Sequence, residues 1–124
     1  MLITELKKNR HLSKRSCYYA LGKYGELAKP AVPIALADIK VKEYQSAAAS
    51  FLGNSKLEPA IVVPALIAEI ESSKPTYPLT NALGEYGTAA ESAIPLLQKL
   101  LESDDPDKKE MGKYALEKIE KATE

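Results

Sequence analysis

Ala20-Leu-Gly-Lys-Tyr-Gly25, Phe51-Leu-Gly-Asn-Ser-Lys56 and Ala82-Leu-Gly-Glu-Tyr-Gly87 align without a gap. Their central glycines, Gly22, Gly53 and Gly84, recur at intervals of 31 residues. A proline stands 11 residues beyond each glycine, at Pro33, Pro64 and Pro95, and so keeps the same interval. Two markers locked to one period over three copies define an internal repeat, and a period in this range belongs to arrays of one supersecondary unit per copy. A partial fourth copy, Tyr114-Ala-Leu-Glu-Lys-Ile119, places Leu116 33 residues after Leu83.

Each copy reads as helix, turn, helix. The first helix carries an apolar stripe at helical spacing: Cys17, Ala20, Leu21 and Tyr24, then Ala48, Phe51 and Leu52, then Leu79, Ala82, Leu83 and Tyr86. The glycine falls near that helix's C-terminus, where a left-handed residue or a close approach is accommodated. The second helix repeats Val32, Ala35 and Ile39 as Val63, Leu66 and Ile70, and as Ile94, Leu97 and Leu101. Its proline is expected in the first turn, where a missing N–H costs little. No segment alternates with period two for long enough to form a strand, so the chain reads as all-α.

At the N-terminus, Leu2 to Asn9 reads as a second helix without its first. Pro75 and Pro78 delay the start of the third repeat's first helix within the loop Glu71 to Thr80. Asp105-Pro106 is an N-cap and N1 pair opening a last helix to about Ala122. That helix has one apolar stripe, Met111, Ala115, Leu116 and Ile119, and is otherwise charged, which suits it to cover the open end of a stack. The expected organisation is a single domain of roughly eight helices: a half-repeat over 1–11, repeats over about 12–41, 42–72 and 73–104, and a capping helix over 105–124.

Ala-Leu-Gly-x-Tyr-Gly followed by an Ala/Val/Ile-Pro helix start resembles the HEAT-like repeat family, in particular the short bacterial and archaeal type also seen in phycobilisome lyases. The resemblance covers about residues 12–119. It implies an α-α superhelix, a right-handed α-solenoid whose second helices line the concave side. It is specific for fold and not for function, because such repeats serve many roles. The second repeat departs from the pattern, with Asn54-Ser-Lys-Leu-Glu58 in place of the Tyr-Gly turn.

Composition narrows the function. The 124 residues are 45% apolar and 27% charged, as in a soluble globular domain. Seventeen basic and 17 acidic side chains give zero net charge, whereas nucleic-acid binders usually carry a basic excess. One cysteine, Cys17, and one histidine, His11, do not supply a zinc set, and Cys17 reads as a small buried hydrophobe. His11 falls in the basic stretch Lys7 to Arg15, read as a solvated turn. No nucleophile–base–acid set, phosphate-binding glycine loop or His-Glu-x-x-His assembles from the sequence. The expectation is a protein without catalytic residues, metal or cofactor. No apolar run reads as a signal peptide or a membrane span, so a cytoplasmic protein is expected, and the chain is expected to be a monomer.

If Val32, Ala35 and Ile39 enter the core, the opposite side of that helix carries Pro33, Leu36, Ala37 and Lys40. The equivalents are Pro64, Ile67, Ala68 and Glu71, then Pro95, Gln98, Lys99 and Glu102. Leu36, Ala37, Ile67 and Ala68 form an apolar patch of the kind that marks a contact site. The leading expectation is a protein–protein interaction scaffold or adaptor that holds another protein on its concave face. Two alternatives remain. The resemblance implies a lyase-like or chromophore-handling protein. The charge distribution offers nucleic-acid binding through Lys7, Lys8, Arg10, Lys14 and Arg15, since residues 1–60 hold 10 basic and 5 acidic side chains against 7 and 12 in residues 61–124.

Overall fold

The computed structural model describes residues 11–123. The helix expected over Leu2 to Asn9 lies outside them, as do Lys7, Lys8 and Arg10. Among the described residues there are seven α-helices and no strand. They are α1 (His11–Leu21), α2 (Val32–Asp38), α3 (Lys42–Ser55), α4 (Pro59–Ser72), α5 (Tyr77–Glu85), α6 (Ile94–Leu101) and α7 (Pro106–Thr123). Two 3₁₀ segments, Gly25–Ala31 and Gly87–Ala93, lead into α2 and α6. No helix among them is long and apolar enough to cross a membrane.

Helices next but one in sequence pack together: α1 on α3, α3 on α5, and α5 on α7. Small residues make this possible. Gly53, Ala82, Gly84 and Ala115 stand at the contacts, where a larger side chain would hold the backbones apart. α2 rests on α3, α4 on α5 and the second 3₁₀ segment, and α7 spreads over α6 and that same segment. The apolar stripes meet in one cluster. Leu21, Phe51, Leu52, Leu79 and Leu83 enter it from one row of helices, and Val32, Ile39, Val63, Leu66 and Leu97 from the other. Burying each such side chain contributes about 1.5–3 kcal/mol.

The turn after each first helix contains a left-handed residue at the same place in the repeat. Gly25 has φ +57° and Gly87 has φ +59°, and glycine takes that conformation without penalty. In the second copy the position belongs to Lys56, with φ 55°, and Glu58 follows at φ 49°. This departure changes what comes next. α4 begins at Pro59 instead of passing through a 3₁₀ segment, so Pro64 lies inside the helix and not in its first turn. Pro33 and Pro95 do occupy first turns.

Two apolar expectations need correction. Tyr24 is 54% exposed although its counterpart Tyr86 is buried. Tyr86 donates to the Leu57 carbonyl at 2.7 Å, in the turn of the preceding copy, and among the described residues no such turn lies beneath Tyr24. Leu101 is also exposed. α6 ends there, and Leu100 takes the buried position.

Candidate binding site

The residues expected to bind a partner lie on or just beyond α2, α4 and α6. Pro33, Ala37, Lys40, Pro64, Ala68, Glu71, Gln98, Lys99 and Glu102 are all exposed. Leu36 and Ile67 are half-buried, each leaning against the core while keeping part of its surface open. The helical period explains the difference: positions 36 and 67 flank the buried stripe, whereas 37 and 68 stand a further 100° round.

α4 and α6 enclose a cleft of about 500 Å³. Ile67, Pro95 and Leu96 supply its apolar surface, Glu71 and Lys99 opposite charges, and Ser92 a hydroxyl. Ile67, Glu71 and Lys99 are thus brought together. Pro33, Leu36, Ala37, Lys40, Pro64, Ala68, Gln98 and Glu102 do not line it. Leu96 was not singled out from the sequence. Its counterparts are Ile34 and Ala65, so an apolar position recurring beside each proline was the available signal. The cleft fits an apolar side chain with a polar or charged neighbour.

A second constellation, invisible in the sequence, joins α1 to α2. Lys14 is buried and its Nζ donates to Asp38 Oδ1 at 3.1 Å and Oδ2 at 2.9 Å. Tyr18 donates its hydroxyl to Asp38 Oδ2 at 2.5 Å. The Lys14 ammonium also lies 4.7 Å from the Tyr44 ring centroid. Burial, and then the hydrogen bond to and charge of Asp38, push the Tyr18 hydroxyl well above the usual tyrosine range. Two buried charges are tolerated here because each is paired and hydrogen-bonded.

Lys14 therefore leaves the set of basic residues offered for nucleic acid, because its charge is committed to Asp38. Arg15 stays exposed. Residues 11–15 are helical, so the basic stretch is not a turn over that part. Among the described residues no group of three or more His, Cys, Asp or Glu side chains is placed to hold a metal. Comparison with family models, with curated proteins and with solved structures gives no match.

Proposed function

We propose that this protein is a non-catalytic interaction scaffold, a right-handed HEAT-like α-solenoid that holds another protein along the face made by α2, α4 and α6. The observation that carries the reading is the α4–α6 cleft, where Ile67, Pro95 and Leu96 leave apolar surface open between Glu71 and Lys99. Exposed apolar surface rimmed by charge is the usual composition of a contact site. Equivalent residues recur one repeat apart along it: Pro33, Pro64 and Pro95, and Ala37 and Ala68. A solenoid sets such residues side by side, giving an elongated surface suited to a polypeptide. The next-but-one packing of α1, α3, α5 and α7 supports that stacking.

Site-specific photo-cross-linking tests the reading. A benzophenone amino acid in place of exposed Gln98 should capture a discrete protein in the source cells. The same group in place of Glu117, on the outer side of α7, should not. Adducts to nucleic acid alone, or equal adducts from both positions, would contradict it.

A further inference from the structure

We propose that the cleft between α1 and α3, on the side of the molecule carried by the first helices, docks an acidic peptide segment of a partner protein. It uses none of the residues of the α4–α6 cleft and stands or falls separately from it.

Arg15, Tyr19 and Lys23 are spaced by four and share one face of α1 and the turn that follows it. Ser46, Ala47, Ser50 and Asn54 face them from α3. Between these rows lies a cleft of about 530 Å³ with Tyr18, Gly22 and Phe51 at its base. The Tyr18 and Phe51 rings pack with centroids 5.4 Å apart and both are buried. Tyr19 is 72% exposed, and the Lys23 ammonium sits 4.6 Å from its ring centroid. Among the described residues neither Arg15 nor Lys23 forms a salt bridge.

The depression continues. A neighbouring cleft of about 310 Å³ shares Ser46, Ser50 and Asn54, then runs on to Asn81 and Glu85 of α5 and to Tyr114 and Lys118 of α7. Crossing four helices at interaxial steps of about 8–10 Å gives a path of about 24–30 Å. An extended chain of about eight residues spans that length.

Its chemistry selects the occupant. Hydroxyls and carboxamides at Ser46, Ser50, Asn54 and Asn81 offer both donors and acceptors, matching the N–H and C=O groups of an extended backbone. The absence of bulk at Ala47 and Ser50 lets that backbone come close. Tyr19 and Tyr114 supply exposed aromatic walls, the side chains most enriched at protein contacts. Arg15 and Lys23 make the α1 end positive, with Glu43 the carboxylate facing them. At the far end Lys118 is already paired with Glu85. A carboxylate on the incoming segment therefore settles over α1, where Arg15 presents a bidentate fork. Besides the paired Lys118, the only cations lining the groove among the described residues are Arg15 and Lys23, whereas a nucleic acid strand brings a phosphate at every residue, so the groove suits a peptide better than a nucleic acid strand.

Fluorescence anisotropy on the intact chain tests this with labelled peptides of alternating glutamate and glycine, the lysine counterpart, and an oligothymidylate, at about 50 mM salt, where exposed charges are only partly screened. The glutamate peptide should bind and the other two should not. R15E/K23E should weaken it by about tenfold or more, as losing charge-assisted bonds requires. S50W, which fills the cleft without changing charge, should do the same, and S46W, at an exposed position of the same lining, repeats the test should S50W fail to fold. K40E/K56E carries the same charge change outside the cleft and should leave binding nearly unchanged, as should A68E/K99E on the other face. No binding of the glutamate peptide, full binding by S50W, an equal loss in K40E/K56E, or tighter binding of the oligothymidylate would each overturn the proposal.

Discussion

A β-carbon built on Gly53 of α3 would stand 3.1 Å from the Cα of Ala82 on α5. One step further along, a β-carbon on Gly84 of α5 would stand 3.4 Å from the Cα of Ala115 on α7. Both glycines are helical. What they provide is close contact between consecutive first helices, and the left-handed role falls instead to Gly25, Lys56 and Gly87.

Gly53→Val and Gly84→Val should each cost about 1–3 kcal/mol, since added methyl groups must push two helices apart or force a rotamer. Chemical denaturation reads this as a lower midpoint. Unchanged midpoints in both variants would show that the helices tolerate wider spacing.

Lys56→Gly should stabilise the fold by about 1 kcal/mol. An L-residue with φ 55° is strained by about that amount, and the exposed Lys56 side chain has little packing to lose. A destabilised variant would mean that the lysine side chain, not the backbone, governs this turn.

Much of the fold was legible because it is written twice, in the glycines and in the prolines. The helix pairs follow from that period and from the stripes at Leu52, Leu83, Leu66 and Leu97. Where the second copy breaks the motif, at Asn54 to Glu58, the sequence indicated a different turn but not its consequence, the early start of α4 at Pro59. Tyr24 shows the limit of equivalence, because burial depends on the neighbouring copy and not on the residue alone. The second-helix face could be drawn from periodicity, yet periodicity could not say that Ile67, Glu71 and Lys99 share a cleft. Lys14 and Asp38 lie 24 residues apart, off the repeat period, and nothing local marks two charges as partners.

Lys14→Met alone should destabilise by about 3–5 kcal/mol, because Asp38 is then buried without its counter-charge. K14M/D38L should cost much less than the two single changes together. Additive losses in this double-mutant cycle would mean that the pair is not coupled.

Alkaline stability should depend on Tyr18 and Tyr86. Burial raises both hydroxyls above the ordinary value, with Asp38 adding to the effect at Tyr18 and Glu58 at Tyr86. The folded state then holds a proton that the unfolded chain releases near pH ~10. Stability is complete below that pH and falls above it, by up to about 1.4 kcal/mol per pH unit for each tyrosine. Y18F/Y86F should flatten the decline between about pH 10 and 12. An unaltered slope would place the loss elsewhere.

Quantitative affinity capture from the source cells, comparing the tagged chain with A68E/K99E and with S50W, tests most directly whether the α2–α4–α6 face holds a protein partner. Ala68 and Lys99 are exposed, so the double variant should keep its helical content and melting temperature. A protein retained by the parent chain and by S50W, and lost from the folded A68E/K99E variant, is the predicted result. Equal recovery of that protein by the parent chain and A68E/K99E would contradict it.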